Sequence, residues 1–206
     1  MKIILASTSP RRQQLLTQAD IEFEILTVEV DETVLFNESP QDYIVRMVKA
    51  KAVAAGKSLS AICKDNIKHC LVITADTIGV LPDERSILVK PTDKADAFDM
   101  WQKLSNTKHS VWTAVQLTVF NQQGEVVTID NLLEKTEVSF IELDDEAMQT
   151  YWSSGEPADK AGGYAIQGKG AAWVKYIKGS YTNVVGLPLA QTLSAIKHME
   201  NKLESL

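Results

Sequence analysis

Residues 3–16 read Ile3-Ile4-Leu5-Ala6-Ser7-Thr8-Ser9-Pro10-Arg11-Arg12-Gln13-Gln14-Leu15-Leu16, and they predict a buried strand, a tight polar turn and a helix. The run from Ile3 to Ala6 is short and continuously apolar, which is typical of a strand that is covered on both faces. Ser9 is a suitable N-cap, and Pro10 fits the first helical position, where no backbone N–H is needed. This segment therefore predicts the opening strand–turn–helix unit of an α/β protein.

Arg11 and Arg12 fall in the first turn of the predicted helix, where cations oppose the helix dipole by roughly 0.3–1 kcal/mol each. Positive charges beside free backbone N–H groups and hydroxyls suit a bound polyanion such as phosphate. The alternative is that both arginines are solvated surface residues. We interpret the pair as part of an anion-binding site.

Composition limits the classes of function. The chain has 206 residues, enough for one large α/β domain or for two small lobes that share a cleft. Its formal net charge of −6 gives no general attraction for nucleic acid, so any polyanion site must be local. No run approaches the ~20 apolar residues of a membrane span. The two cysteines, Cys63 and Cys70, lack metal-ligand spacing and are interpreted as buried or incidental thiols. These features predict a cytoplasmic protein without nucleic-acid or membrane partners.

The rest of the chain alternates strand and helix patterns. Further strands are predicted at 22–26, 70–75, 111–120 and 125–142, with a short hairpin whose turn is 82–84. Further helices are predicted at 40–56, after a cap at Thr92 or Asp93 to about Ser105, at 144–153 and at 189–203. The packing residues of the helix that ends near Ser105 are predicted to be Ala95, Phe98, Trp101 and Leu104. The pattern indicates an α/β fold with flanking helices.

Lys51 occupies an unusual place in the helix predicted at 40–56. The apolar face of that helix comprises Ile44, Val48, Ala52 and Ala55, and Lys51 shares it because it lies three residues after Val48. A lysine on an apolar face must either extend outwards to water or meet an anion.

Asp76 follows the apolar run 70–75 and is predicted to lie at the C-terminal end of a central strand, the edge where open α/β sheets bind ligands. Two further carboxylates, Asp31 and Glu32, stand together earlier in the chain. Carboxylates can hold a hard divalent cation or take a proton from water, and Ser7, Arg11, Arg12, Lys51 and Lys90 can bind phosphate. This combination suits metal-assisted cleavage of a phosphoanhydride.

Each candidate also has a simpler interpretation. Asp76 can be a helix or turn cap, Asp31 and Glu32 can be solvated loop charges, and Lys51 and Lys90 can be surface lysines. The glycine-dense segments 162–170 and 179–183 can be tight turns only. Neither a GxxxxGK[ST] loop nor a GxGxxG turn occurs, so common nucleotide-binding folds are not indicated.

Taken together, the chain resembles the Maf family of nucleoside triphosphate pyrophosphatases. The resemblance spans nearly the whole chain, in family order, and rests on 6–12, Asp31-Glu32, 49–52, 75–77, Lys90-Pro91, 160–168 and 179–188. Any one of these motifs is weak evidence, whereas the ordered set is highly specific.

The resemblance implies a fold, a reaction and a set of roles. The fold is an elongated mixed sheet with flanking helices and two lobes around a central cleft, similar to Maf and inosine triphosphatase enzymes, in a single domain over 1–206. The reaction is hydrolysis of a nucleoside triphosphate to the monophosphate and diphosphate with Mg²⁺ or Mn²⁺. Asp76 is implied as the proton acceptor. Glu32 and Asp76 are expected to position the metal, and Ser7, Arg11, Arg12, Lys51 and Lys90 to hold the phosphates. A homodimer is also implied.

Arg11, Thr77 and Gln167 match positions that are associated with substrate choice in the family. Branches that act on 7-methyl-GTP carry an aromatic residue in the place of Arg11 and a glutamate in the place of Gln167, so this chain resembles the dTTP/UTP branch. Thr74 is a departure, since the family usually has glycine there. The alternatives are a 7-methyl-GTP pyrophosphatase and a non-catalytic nucleotide-binding regulator of septum formation.

Overall fold

The computed structural model describes residues 1–62 and 68–205, and within them the chain is a mixed α/β protein. The strands are β1 Lys2–Leu5, β2 Glu24–Ile25, β3 His69–Val80, β4 Ile87–Leu88, β5 Lys108–Asn121, β6 Val126–Phe140 and β7 Val174–Lys178. The helices are α1 Pro10–Gln18, α2 Pro40–Ile62, α3 Lys94–Leu104, α4 Asp145–Ser153, α5 Tyr181–Val185 and α6 Leu189–Glu204. Short 3₁₀ turns connect α4 to β7.

The strands form one seven-stranded sheet in the order β2-β1-β3-β5-β6-β7, with β4 paired to β3 outside this path. β1 is parallel to both β2 and β3, whereas β4 is antiparallel to β3 and β7 is antiparallel to β6. The predicted mixed α/β class with flanking helices is confirmed.

The described chain divides into two compact units. The first comprises 1–76, 114–133 and 186–206, and the second comprises 77–113 and 134–185. The prediction of one domain with two lobes around a cleft concerns the arrangement of these units, and it stays a prediction.

Each unit has an apolar core of its own. In the first unit, β1 and β3 pack with α2 through buried side chains that include Ile4, Val72, Leu59 and Phe120. In the second unit, Trp101 of α3 is fully buried and contacts the rings of Tyr151 and Trp173 at centroid distances of 5.5 and 5.0 Å. These cores hold the strands and helices from which the candidate residues extend.

Helix α2 confirms its predicted start and apolar face but not its predicted end. Ser39 accepts a hydrogen bond from the Asp42 backbone N–H at 3.2 Å, as an N-cap does. The helix continues to Ile62 rather than stopping near Gly56. Gly56 is used for close packing, because a Cβ there would lie 3.2 Å from the Phe120 ring. The glycine therefore gives room for a neighbouring aromatic side chain and does not end the helix.

Strand β3 is longer than predicted, and Asp76 lies within it rather than at its end. The pairing with β1 covers Cys70–Ile73 only, while the pairing with β4 begins at Gly79. Asp76 therefore comes just after the end of the parallel pairing, in a strand that continues to a hairpin. The sequence pattern predicted a separate hairpin with its turn at 82–84 and did not show that the first strand of that hairpin continues β3.

Three local predictions need correction. Ser9 occupies the N-cap position of α1, but its side chain makes no capping hydrogen bond. Ala95 is exposed on α3, where Ala97 and Met100 are buried beside the predicted Trp101 and Leu104. Cys70 is disulfide-bonded, so its interpretation as a free thiol is wrong, and Cys63 lies outside the described residues. The cap at Asp93 is confirmed, since its side chain accepts from the Asp96 N–H.

Among the described helices, none combines the length and the apolar character that crossing a membrane requires.

Candidate active site

Lys51 and two carboxylates form the centre of the candidate site in the first unit. The Lys51 ammonium lies 2.6 Å from Asp76 Oδ1 and 3.1 Å from Glu32 Oε1. The Lys51 and Asp76 side chains are each 12% exposed, whereas that of Glu32 is 48% exposed. Of the two possibilities for a lysine on an apolar helix face, the structure shows the second, in which the ammonium meets an anion. Glu32 is the more accessible carboxylate of the two.

The packing of α2 on β3 explains why these charges meet. Lys51 shares the α2 face whose apolar residues Ile44 and Val48 are buried. Thr74 is fully buried on β3, and its hydroxyl lies 3.0 Å from the Val48 carbonyl oxygen, within donating distance. Because side chains on a strand alternate, Thr74 and Asp76 extend from the same face of β3. The threonine that departs from the family's usual glycine thus links the helix of Lys51 to the strand of Asp76.

Arg12 adds a second cation to this site. Its Nε donates to the Gly186 carbonyl oxygen at 2.8 Å, and its Nη1 donates to Ser7 Oγ at 3.1 Å. Burial lowers the pKa of Arg12, and the Asp76 carboxylate opposes this shift. An arginine keeps its charge in proteins, so the guanidinium acts as a fixed cation. The nearby charge of Arg11 in the same turn also lowers the pKa of Arg12.

The turn before α1 is suited to contact an anion. Ser7 Oγ accepts hydrogen bonds from Arg12 and, at 3.3 Å, from the Ser9 backbone N–H. A hydroxyl that accepts two bonds keeps its own proton for donation. Arg11 and Arg12 occupy the first turn of α1, which contains no acidic residue. The predicted anion-binding role of this turn therefore has donors and positive charge to support it.

Three predicted substrate-binding residues belong to the second unit. The Thr77 hydroxyl lies 3.0 Å from that of Thr113, which donates to the Asn183 backbone carbonyl at 3.1 Å. Lys90 and Gln167 are exposed. The roles of Thr77, Lys90 and Gln167 stay predictions.

The glycine-dense segment is organised by a carboxylate that sequence reasoning missed. Glu156 accepts hydrogen bonds from the Tyr151 hydroxyl at 2.7 Å and from the Lys169 backbone N–H at 3.0 Å. Burial acts to raise the pKa of Glu156, but these hydrogen bonds lower it overall. At Gly170, an added Cβ would lie 2.9 Å from the Ala165 carbonyl oxygen, so close backbone approach requires glycine. The loop that bears Gln167 is therefore held by specific hydrogen bonds and by close backbone packing.

Two residues of α2 that sequence reasoning also missed hold the loop before this helix. The Tyr43 hydroxyl donates to the Glu32 carbonyl oxygen at 3.1 Å, and Arg46 Nη2 donates to that of Thr33 at 2.9 Å. The sequence does contain one signal for this role. Tyr43 and Arg46 stand one helical turn apart, directly after the loop that contains Asp31 and Glu32.

A divalent metal fits the donor set of the first unit. Within residues 1–62 and 68–205, no group of three or more His, Cys, Asp and Glu side chains converges as a metal site. Glu32 and Asp76 do converge on one ammonium, which shows that both carboxylates face the same point. Mg²⁺ is commonly bound by one or two carboxylates together with substrate phosphates. The two carboxylates therefore meet the requirement for a metal that arrives with its substrate.

Comparison with known proteins supports the sequence resemblance. The profile of the Maf-like protein family matches residues 2–199. A dTTP/UTP pyrophosphatase of Psychrobacter arcticus is 51% identical, over 98% of this chain and 96% of that protein. A protein with the same name from Pseudoalteromonas atlantica is 42% identical, over 96% of this chain and 96% of its own length. Another, from Bacillus anthracis, is 43% identical, over 95% of this chain and 94% of its own length. Among solved structures, a nucleoside triphosphatase (dITP/XTP pyrophosphatase) from Mycobacterium abscessus matches with 13% identity and a TM-score of 0.30. The match covers 67% of this chain and 74% of that protein.

The buried ion pair generates a stability prediction. Lys51→Ala should lower the free energy of unfolding by roughly 3 kcal/mol, because removal of one partner leaves a buried carboxylate without its counter-charge. The double variant Lys51→Ala/Asp76→Asn should lose less than the sum of the single losses. Urea denaturation measures the free energy of unfolding of the two single variants and of the double variant. Lys49→Ala is the matched control, since Lys49 is exposed on the same helix. A raised melting temperature for Lys51→Ala would contradict the ion pair and favour a lysine that only reaches solvent.

Proposed function

The chain belongs to the Maf family, and on that premise we propose that it hydrolyses dTTP and UTP to the nucleoside monophosphate and diphosphate. The observation that carries this proposal is the meeting of Lys51 with Asp76 and Glu32, beside Arg12 and Ser7. These residues supply cations for a triphosphate and carboxylates for a metal and a proton. The proposed substrates include modified pyrimidine triphosphates.

The proposed chemistry is attack of water on the α-phosphorus. A bond forms between the water oxygen and the α-phosphorus, and the bond from that phosphorus to the bridging oxygen breaks. Diphosphate leaves with the electron pair, and Asp76 accepts the proton of the attacking water. Asp76 is placed for this role because its carboxylate lies 2.6 Å from the Lys51 ammonium, the group that is proposed to bind the phosphates.

The cations stabilise the charge that develops on the leaving diphosphate. Arg11, Arg12 and Lys51 are proposed to bind phosphate oxygens, and Ser7 to donate its hydroxyl proton to one of them. Lys90 is proposed as a further phosphate ligand on the basis of the family resemblance. Lys51 exchanges carboxylate contacts for phosphate contacts as substrate arrives, so its charge is satisfied before and during the reaction.

Glu32 and Asp76 are the residues that would hold Mg²⁺ or Mn²⁺. When bound, the metal supplies Lewis-acid polarisation of the phosphoryl oxygens and neutralises part of their charge. Because Glu32 is more exposed than Asp76, its carboxylate is the better placed of the two to leave Lys51 and bind a metal.

The assembly and location of the protein are also proposed. We propose that it forms a homodimer, as the resemblance implies, and that it acts in the cytoplasm on the nucleoside triphosphate pool. The disulfide at Cys70 would be unusual in that compartment, where disulfides are rare.

Two other candidates are weaker. A non-catalytic regulator of septum formation does not require a buried ammonium shared between two carboxylates. A 7-methyl-GTP pyrophosphatase is disfavoured because the branch-distinguishing positions hold Arg11 and Gln167. A diphosphate-release assay with a panel of nucleoside triphosphates separates the three functions.

The role of Asp76 can be tested with a substitution that preserves its shape. Asp76→Asn should reduce kcat/KM for dTTP at least ~100-fold, because the amide neither accepts the proton nor binds the metal as a charged ligand. Asp99→Asn, on the exposed face of α3, is the matched control and should be near wild type. Circular dichroism checks that both variants fold. Near-normal turnover by Asp76→Asn would remove Asp76 from the reaction.

Base selection is tested at Gln167. The pyrimidine 2,4-dione edge presents acceptor, donor and acceptor, which an amide can pair with in a bidentate manner. We expect dTTP and UTP to be preferred over CTP, and ATP and GTP to be poorer because of purine bulk. A hydrogen-bonding site can discriminate by up to ~10⁴.

Gln167→Glu removes the amide donor and adds a charge, so dTTP and UTP hydrolysis should fall and preference should shift towards 7-methyl-GTP. The measurement is kcat/KM for dTTP, UTP, CTP, GTP and 7-methyl-GTP. Gln123→Glu, in the exposed turn between β5 and β6, is the control for added charge. An unchanged ranking would exclude Gln167 from base selection, and wild-type preference for 7-methyl-GTP would overturn the branch assignment.

A further inference from the structure

The β2–α2 loop, residues 26–39, carries Glu32 to Lys51. Leu26 and Val28 at its start pack against the core, and Val30 is half-buried. Residues 31–37 are all exposed. The apolar side chains in this part of the loop do not pack inwards, since Val34, Leu35 and Phe36 are 38%, 54% and 95% exposed. From Asp31 onwards, burial of apolar surface therefore does not hold the loop, although the Glu32 carboxylate lies 3.1 Å from the Lys51 ammonium.

Polar contacts from α2 hold this part of the loop instead. The Tyr43 hydroxyl donates to the Glu32 backbone carbonyl at 3.1 Å, and Arg46 Nη2 donates to the Thr33 carbonyl at 2.9 Å. Arg46 also forms a two-point ion pair with Glu38, through Nε at 2.5 Å and Nη2 at 2.6 Å. Two successive carbonyl groups of the loop are thus bound by neighbouring side chains of one helix.

The same helix binds both ends of Glu32. Tyr43 contacts its backbone carbonyl, and Lys51, eight residues further along α2, contacts its carboxylate. With 3.6 residues per turn, residues eight positions apart are separated by roughly 80° around the helix axis and so lie on the same side of the helix. The position of Glu32 is therefore defined relative to α2, and α2 in turn is linked to β3 and Asp76 through Lys51.

We propose that Tyr43 and Arg46 are positioning residues for the reaction, which hold the Glu32 carboxylate at Lys51 by binding the backbone of residues 32 and 33. This inference rests on the proposed function, in which Glu32 is a metal ligand. It adds two residues to that function that neither touch the phosphates nor bind the metal, and that act only through Glu32.

The charge states of the two side chains suit this role. Burial, followed by the Asp76 and Glu32 carboxylates, raises the pKa of Tyr43 to about 12, so its hydroxyl remains a donor at neutral pH. The hydrogen bond with Glu38 raises the pKa of Arg46, and the same bond lowers that of Glu38. The ion pair that fixes Arg46 therefore persists across the neutral range.

The first test is a double-mutant cycle on kcat/KM for dTTP. Tyr43→Phe and Arg46→Lys should each reduce it about 10- to 100-fold, the effect typical of outer-shell metal partners. In a Glu32→Gln background neither substitution should reduce it further, because both act through Glu32. Tyr176→Phe and Arg85→Lys are matched controls at exposed positions of the second unit and should be near wild type.

The second test measures the loop directly, without nucleotide or metal. Amide hydrogen exchange of segment 26–39 should be at least tenfold faster in Tyr43→Phe and in Arg46→Lys than in wild type, with unchanged exchange in β3. The controls Tyr176→Phe and Arg85→Lys should leave segment 26–39 unchanged. This readout depends on the contacts alone and not on the activity of the enzyme.

The outcomes separate the inference from the proposed function. If wild-type protein releases no diphosphate from dTTP or UTP, the proposed function fails, and with it the role in the reaction. If the wild type is active but the losses are fully additive with Glu32→Gln, or exchange in segment 26–39 is unchanged, then Tyr43 and Arg46 do not position Glu32. Loss of activity in the single variants, no further loss in the Glu32→Gln background and faster loop exchange together support the inference.

Discussion

The ammonium of Lys51, shared by two carboxylates, is the interaction on which the first unit depends. Two carboxylates that face one point repel each other, and a single cation between them makes the electrostatic energy of the group favourable. Because Lys51 and Asp76 are largely withdrawn from water, removal of either one takes a close counter-charge from the other. The apolar face of α2 and the buried Thr74 of β3 bring the partners together. The packing of α2 on β3 therefore places Lys51 and Asp76 next to each other.

The same centre explains how a triphosphate can be bound and cleaved in one place. Arg12 and the Ser7 hydroxyl present donors, while Lys51 stands at the carboxylates. Under the proposed function, a phosphate that approaches Lys51 would compete with Glu32 and Asp76 for the ammonium, and both carboxylates would become available to a divalent cation. In the proposed function, the arrival of substrate and the formation of the metal site would therefore be coupled.

Sequence patterns predicted those parts that depend on local periodicity and composition. The apolar stripe of α2, the isolated Lys51 on that stripe and the opening of α1 at Pro10 all follow from spacing alone. The end of α2 could not be predicted, because the fit of Gly56 against Phe120 depends on a residue 64 positions away. Asp76 was predicted to lie at a strand end because the local pattern does not show that the first strand of the predicted hairpin continues β3. Tyr43 and Arg46 were missed because their partners are backbone carbonyls, which every residue carries, and their spacing of one helical turn is by itself a weak signal.

The central claim is that water activated at Asp76 attacks the phosphorus nearest the nucleoside. Hydrolysis of dTTP in water enriched in ¹⁸O, limited to one turnover and followed by mass spectrometry of the products, tests it directly. The account predicts that the label enters dTMP, with none in the diphosphate released. Label in the diphosphate would show attack on the β-phosphorus, and formation of dTDP with labelled orthophosphate would show attack on the γ-phosphorus. Either result would contradict the proposed reaction.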